Sequence, residues 1–179
     1  MKGHSAPLPA RRLLLAAALL AVTVGCGYGL VGRGSTLPEN VKTVRFEALA
    51  NRTSRIGLEQ RLSQEIAREL TIRGRLRVVA GVEPADAVLT GAVTRFDLIP
   101  VAFDGAGRAQ EYQVQIGAQL SLKTLPDERV LYEDSGYTFR DAYSFPAAAS
   151  SFVDLQNEAI ERVAARFAES VVSTILEGF

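Results

Sequence analysis

The sequence predicts an α+β domain preceded by a signal peptide and a flexible tether. In this domain a mostly antiparallel or mixed sheet of roughly four to five strands has two helices packed on one face. Three observations predict this class. Two apolar stripes have the spacing of helices, the segments between them alternate apolar and polar residues as half-buried strands do, and an apolar run near the start ends at the only cysteine. Both stripes and the apolar strand faces need one shared core, so both helices belong on the same face.

Residues 1–25 have the layout of a secretory signal. Lys2, Arg11 and Arg12 precede an apolar run over residues 13–24, and this stretch holds no acidic residue. The run is shorter than the roughly 20 residues that a membrane-spanning helix needs. A cleaved signal is therefore favoured over a transmembrane anchor.

Cys26 ends the apolar run and predicts a lipid anchor. The stretch Thr23-Val24-Gly25-Cys26 resembles the bacterial lipobox, in which a small residue precedes a cysteine that becomes the lipidated N-terminus, although Thr23 stands where Leu is usual. A lone cysteine in a secreted chain can also be a buried thiol or half of an intermolecular disulfide. Its position at the end of the run favours acylation, and several acyl chains on one residue give stable membrane attachment. Gly27 follows in place of the Asp that retains similar lipoproteins in the inner membrane, which indicates the outer membrane.

The composition that remains after residue 25 excludes several classes of function. Three of the 20 basic residues leave with the signal, so 17 basic and 20 acidic residues give a net charge of −3, which argues against general nucleic-acid binding. His4, the only histidine, also leaves, and no second cysteine is available. Without them there is no histidine-dependent or cysteine-dependent nucleophile and no imidazole metal ligand. We therefore expect no enzymatic activity, no cofactor and no metal.

The first elements of the predicted domain follow in order. Residues 26–40 form the lipidated N-terminus and a glycine-rich tether, and residues 41–179 form a single domain. Alternation over residues 42–48 predicts a first strand. Apolar residues at every fourth position predict the next helix, namely Leu58, Leu62, Ile66 and Leu70. Gly74 is well placed to end it.

The remaining strands lie between the two predicted helices. Residues 76–79 predict a short strand, and residues 87–101 predict a longer one with Pro100 near its end, on an edge or at a bulge. Residues 111–123 alternate most regularly, with glutamines on the polar side, and residues 129–140 return as a partner strand.

A long helix closes the chain. Ser151, followed three residues later by Asp154, resembles a capping box at its start. The apolar stripe that predicts this helix consists of Leu155, Ile160, Val163, Phe167, Val171 and Ile175.

The order and spacing of these motifs resemble the LptE-type lipopolysaccharide-assembly lipoproteins of Gram-negative bacteria. The resemblance begins at residues 26–28, Cys-Gly-Tyr, and Gly29 stands where many members have His. It is strongest over residues 107–113, GRAQEYQ, and the alternating strand behind them. It continues through residues 137–140, YTFR, and Tyr143 into the terminal helix, so it extends over the whole predicted mature chain.

The resemblance implies a non-catalytic lipoprotein of the cell outer membrane. Similar proteins sit as a plug inside the LptD β-barrel, support its folding and help to pass lipopolysaccharide to the outer leaflet. The domain would then lie on the periplasmic side or within the barrel lumen. A barrel interior is polar, and the glutamine-rich face of residues 111–123 is compatible with it, although a solvated surface explains that face equally well.

Arginines are the candidate lipopolysaccharide-binding residues, because phosphates and acidic sugars call for Arg or Lys. Arg108 lies at a glycine-rich hairpin tip with few acids expected to neutralise it, and Arg140 follows an aromatic strand end. Three further arginines cluster near the end of the first helix, where basic residues commonly complement the helix dipole: Arg73, Arg75 and Arg77.

An alternative function stays open. Residues 46–53, the helix behind them, residues 77–79 and residues 85–91 also resemble the N-terminal halves of accessory lipoproteins of secretion and transport systems. In that interpretation the chain is a scaffold for another envelope complex and binds no lipopolysaccharide. The strand that begins at Glu111 and the elements that follow it favour the first interpretation.

Overall fold

The computed structural model describes residues 37–81, 83–144 and 152–177. The predicted signal, Cys26, most of the tether and Ser151 lie outside these residues. The elements are β1 (Thr43–Phe46), β2 (Ala50–Asn51), α1 (Leu58–Arg73), β3 (Arg77–Val79), β4 (Ala87–Phe103), β5 (Ala109–Thr124), β6 (Val130–Ser144) and α2 (Phe152–Glu177). Neither of the described helices is long and apolar enough to cross a membrane.

The strands form one mixed sheet in the order β3-β1-β4-β5-β6, and β2 pairs with β4 beyond the end of β1. The β1 strand is parallel to β3 and β4, whereas β4, β5 and β6 are antiparallel to one another. The predicted α+β class with a mixed sheet and two helices is therefore confirmed. The sheet has six strands because β2 is counted, and a strand of two residues is too short to show any alternation in the sequence.

The core lies between the sheet and the two helices. The stripe of α1 is buried as predicted, and α1 ends at Gly74, whose φ of 63° suits glycine. The predicted stripe of α2 is buried from Ile160 onward, while the side chain of Leu155 lies outside the described part. At the centre of this helix Phe167 is fully buried, and its ring meets those of Tyr137 and Phe139 edge-on at centroid distances of 5.9 and 5.8 Å.

The two helices lie parallel to each other. Arg61 of α1 pairs with Glu161 of α2, and Arg73 at the end of α1 pairs with Glu177 at the end of α2 at 3.0 Å. The partners follow the same order along both helices, which fixes the parallel direction. These pairs are partly exposed, so most of the attraction between the helices comes from the buried stripes.

A bulge in β4 changes which residues face the helices. Val93 lies opposite the buried Ala118, and Phe96 lies opposite the buried Ile116. Residues 93 and 96 would point to opposite faces of a regular strand. The irregularity between Val93 and Arg95 turns the second half of β4 over, so that Phe96 packs against the core as well.

Asp86 ties the start of β1 to the start of β4. Its Oδ2 atom accepts the N–H of Lys42 at 3.0 Å, the N–H of Thr43 at 2.8 Å and the hydroxyl of Thr43 at 2.8 Å. These hydrogen bonds hold the pKa of the Asp86 carboxyl below its ordinary value, and the N–H of Lys42 makes the largest contribution. The charged form of Asp86 therefore stabilises the folded state.

We expect Asp86→Asn to lower the thermal unfolding midpoint at about pH 7 and to have little effect below about pH 2. The folded pKa is depressed, so the contribution of the carboxylate is complete above the unfolded pKa of about 3.9 and is lost as the pH falls through the folded value. Melting curves of both proteins across this range test it. Asp127→Asn, an exposed position in the turn after β5, is the control. An equal effect of Asp86→Asn at both ends of the pH range would contradict the electrostatic explanation.

Candidate functional site

The sheet has one face covered by the helices and one face that no described element covers. We call the second one the outer sheet face. The residues on it alternate with buried residues such as Val114 and Ile116, which point to the helices. The outer sheet face contains Arg95, Asp97 and Ile99 of β4, Gln113, Gln115 and Gln119 of β5, and Thr138 and Arg140 of β6.

Glutamines follow β5 down the middle of the outer sheet face. The predicted alternation over residues 111–123 is confirmed, since every even-numbered residue from Val114 to Leu122 is buried. Gln113 and Gln115 lie in the row between the flanking strands, and Gln119 accepts a hydrogen bond from Arg52 at 2.7 Å. The result is a central row of neutral hydrogen-bonding groups, flanked by Arg95 and Asp97 of β4 and by Arg140 of β6.

Arg140 lies on the outer sheet face. It is exposed and stands opposite Gln115, with Asp97 on the far side of that glutamine. Asp97 forms a 3.7 Å ion pair with Arg95 on its own strand. Within the described chain Arg140 itself takes part in no ion pair, so its guanidinium is available for an anionic ligand.

Arg108 lies at the tip of the β4–β5 hairpin, where one acid, Asp104, pairs with it. The carboxylate of Asp104 accepts the N–H groups of Ala106 at 2.9 Å and Arg108 at 2.8 Å, and also the Nε–H of Arg108 at 2.8 Å. These bonds, with the main-chain N–H of Arg108 first, lower the pKa of Asp104. The sequence does not show this pairing, because the main-chain bonds that hold Asp104 depend on the turn geometry. The side chain of Arg108 remains 76% exposed.

The two candidate arginines do not form one site. Arg140 pairs with Gln115, whereas Arg108 lies beyond the first residue of β5, Ala109. A strand rises roughly 3.3 Å per residue, so about 20 Å of β5 separates their positions. A single phosphate cannot contact both, and a ligand that contacts both must be extended.

The basic cluster at the end of α1 is largely structural. Arg73 donates to Glu69 at 2.8 Å and to Glu177 at 3.0 Å, and the bond to Glu69 is the largest cause of the raised pKa of Arg73. Arg77 lies 3.9 Å from Glu83. The described residues place no ion pair on Arg75, which is exposed.

Sequence reasoning missed a polar contact between α2 and β6. The Asp141 side chain is 11% exposed, and its Oδ2 atom lies 2.7 Å from Nη1 of Arg166 and accepts the Tyr143 hydroxyl at 2.8 Å. Burial is the main cause of the raised pKa of Tyr143. The sequence held one indication of this contact: Asp141 is two residues from Phe139, which places both on the helix-facing side of β6. The contact fastens α2 to the sheet near the end of β6.

The described residues contain no group of three or more His, Cys, Asp or Glu side chains that could hold a metal ion. The chemistry on the outer sheet face and at the hairpin tip is hydrogen bonding and charge pairing. Such groups recognise a polar or anionic surface.

Comparisons with known proteins identify the family. The model of the lipopolysaccharide-assembly family LptE matches residues 41–175. A search of curated protein sequences finds no significant match.

Solved structures align with the chain at low sequence identity, and two of them reach a TM-score of 0.5, which shows a similar fold. A hypothetical protein from Chlamydia trachomatis aligns with a TM-score of 0.51 and 11% identity over 77% of this chain and 97% of its own. A variant PelC dodecamer from Paraburkholderia phytofirmans gives a TM-score of 0.50 and 16% identity over 80% and 94% of the two chains. The rare lipoprotein B from Shewanella oneidensis gives 0.44 and 14% over 73% and 95%.

Proposed function

This chain belongs to the LptE family of lipopolysaccharide-assembly proteins, and from that premise we propose that it is an outer-membrane lipoprotein that forms a complex with an LptD-type β-barrel. In this role it assists the delivery of lipopolysaccharide to the outer leaflet and catalyses no reaction. The match over residues 41–175 carries the proposal. In the proposed layout residues 1–25 are the cleaved signal, Cys26 carries the lipid, residues 26–40 form the tether and residues 41–179 form the working domain.

The outer sheet face supports a position against the polar wall of a barrel lumen. Its central row is made of glutamines, which donate and accept hydrogen bonds without the desolvation cost of a full charge. The interiors of outer-membrane barrels are polar, so a neutral polar face can exchange its water for contacts with the wall.

Arg108 and Arg140 are the proposed contacts for lipopolysaccharide. Both are exposed, and they are separated along β5, so each would meet a different anionic group of one extended ligand. Arg108 is held by Asp104 through its Nε–H, and its side chain is exposed, so the terminal nitrogens can donate to a ligand. The guanidinium group suits the phosphate geometry in both cases.

We expect Arg108→Ala and Arg140→Ala each to weaken lipopolysaccharide binding by about 3-fold to 30-fold, which corresponds to the loss of one charge-assisted contact. The two positions are far apart, so the losses in the double variant should multiply. Titration of the purified full chain in detergent with lipopolysaccharide measures this. Arg75→Ala, which removes an exposed arginine elsewhere, is the matched control. An equal loss of affinity in Arg75→Ala would mean that the change in net charge, and not a direct contact, weakens binding.

The complex itself is tested by recovering the tagged chain from detergent-solubilised outer membranes and identifying its partners by mass spectrometry. We expect a large LptD-type barrel in a near one-to-one ratio. Recovery of a different secretion or transport channel, without such a barrel, would favour the alternative function as a scaffold of another envelope complex. That outcome would also withdraw the proposed roles of Arg108 and Arg140.

A further inference from the structure

The second half of β4 is an open edge of the sheet. The β1 strand pairs with β4 from Ala87 to Leu89, and β2 pairs with it at Ala92 and Val93. Beyond Val93, β4 has a partner only on the β5 side within the described part of the chain. We call Thr94–Phe103 the open β4 edge.

Pro100 shows which main-chain groups this edge presents. The register with β5 is regular from the pair Arg95–Gly117 to the pair Pro100–Tyr112. Opposed residues in an antiparallel ladder alternate between pairs that exchange hydrogen bonds and pairs whose main-chain groups point away. Proline has no N–H to exchange, so Pro100 and Tyr112 form a pair whose main-chain groups point away from each other. By alternation Phe96 and Leu98 also direct their N–H and C=O groups away from β5, towards the side of the strand on which no described strand pairs.

The open β4 edge therefore offers a defined ladder for one more strand. Phe96 and Leu98 each supply one donor and one acceptor, and Pro100 supplies an acceptor only. A partner strand can pair over Phe96–Pro100, and the missing donor at Pro100 ends the ladder there. Only an extended chain satisfies donors and acceptors spaced in this way, because its own groups repeat with the same period.

The side chains distinguish this edge from the other two edges of the sheet. Three of the six exposed large apolar residues in the described chain lie here, namely Ile99, Val101 and Phe103, which are 41%, 48% and 59% exposed. The β3 edge has only three residues. The β6 edge has a bulge near Gly136 and directs Asp141 inward, and both features discourage pairing. The open β4 edge is irregular near Arg95 and again beyond Pro100 and Ala102, but its register is regular over Phe96–Pro100, the segment that offers the ladder.

We propose that the open β4 edge binds an extended, apolar segment of the barrel partner by strand addition. The inference rests on the proposed function for the identity of the partner, and on the open main-chain ladder for the form of the contact. The added strand lies beside β4 and continues the outer sheet face, so that the glutamine row and the new strand meet the barrel as one surface. The apolar side chains of Ile99, Val101 and Phe103 contact the partner where the ladder ends.

Site-specific photo-crosslinking in the full chain tests the geometry. A photoreactive residue is placed in turn at Asp97, Ile99 and Val101, with Val130 of the β6 edge as the control position. We expect the first three to crosslink to the barrel, and the positions reached from Asp97 and Ile99 to lie two residues apart on one segment. That spacing is the signature of strand pairing, because successive residues on one face of a strand are two apart. Simple proximity would give scattered products.

Val101→Lys tests the contribution of the contact to assembly. We expect it to reduce the amount of barrel recovered with the tagged chain by about tenfold, since a charge at an apolar pairing edge opposes strand addition. Val130→Lys makes the same change at a position of equal exposure, 48% in both cases, and should leave recovery unchanged. Unchanged unfolding midpoints of both variants would show that folding is not the cause.

The outcomes separate the inference from the function on which it rests. Barrel recovery with no crosslinks from the open β4 edge, or with equal crosslinks from Val130, would overturn the strand addition and leave the proposed function standing. Crosslinks to a second copy of this chain or to its own residues 27–36 would also overturn it and identify another occupant. Absence of the barrel from the wild-type complex would overturn both.

Discussion

Phe167→Ala is expected to lower the free energy of unfolding by about 3–5 kcal/mol. Phe167 is 0% exposed and lies at the middle of α2, where its ring meets Tyr137 and Phe139 edge-on. Truncation removes the apolar area that fastens the helix to β6 and leaves a cavity that the sheet cannot fill by shifting, because β5 and β6 are held in register. A loss of this size is a large fraction of the stability of an ordinary domain.

Equilibrium unfolding in urea, followed by circular dichroism, measures the effect. Phe103→Ala is the matched control, since it deletes the same atoms from a side chain that is 59% exposed, and we expect a change below about 1 kcal/mol. Phe167→Leu should fall between the two because it fills most of the space. A loss of less than about 1 kcal/mol for Phe167→Ala would mean that α2 does not depend on this contact for its packing on the sheet.

Cys26→Ala is expected to move the protein almost completely from the membrane fraction to the soluble periplasmic fraction. The reason is the proposed lipid anchor at Cys26, the only cysteine, which holds the chain by several acyl chains on one residue. Fractionation of cells, together with metabolic labelling by radioactive palmitate, measures both location and acylation.

Gly27→Asp is the informative companion variant. It keeps the cysteine and should retain the label, but it introduces the residue that holds similar lipoproteins in the inner membrane, so the protein should move to inner-membrane fractions. Wild-type amounts of Cys26→Ala protein in the outer membrane would contradict the anchor. Such a result would leave attachment to a partner as the explanation for membrane location.

The sequence alone predicted those elements whose pattern is contained in consecutive residues. The stripe from Leu58 to Leu70 specifies α1, and Gly74 ends it, because helix periodicity and a left-handed terminal residue are local properties. The alternation from Val114 to Leu122 specifies both the strand β5 and the face that it buries. The family resemblance to LptE is confirmed, and it too rests on short segments and their order.

Contacts between residues far apart in the chain could not be predicted from the sequence. The bulge between Val93 and Arg95 lies inside a segment that reads as one continuous strand, and only its register with β5 shows that the faces change over. Arg166 belongs to a helix face with many charges, and its pairing with Asp141 depends on how α2 crosses β6. The pairing of Asp104 with Arg108 could not be predicted for a similar reason, since it depends on how the chain turns at the hairpin tip.

The sequence by itself therefore determined the class of this protein and which residues of α1 and β5 face inward, whereas the lipid anchor at Cys26 stays a prediction. These features follow from hydrophobic periodicity and local chain chemistry, which act over a few residues. Only the tertiary structure decided which strands neighbour one another, that Arg108 and Arg140 are separate sites, and that β4 presents an open edge beyond Val93. Those features depend on pairings between residues far apart in the chain, and many pairings bury the same apolar faces. The tertiary structure selects one by packing both helices and every strand into a single core.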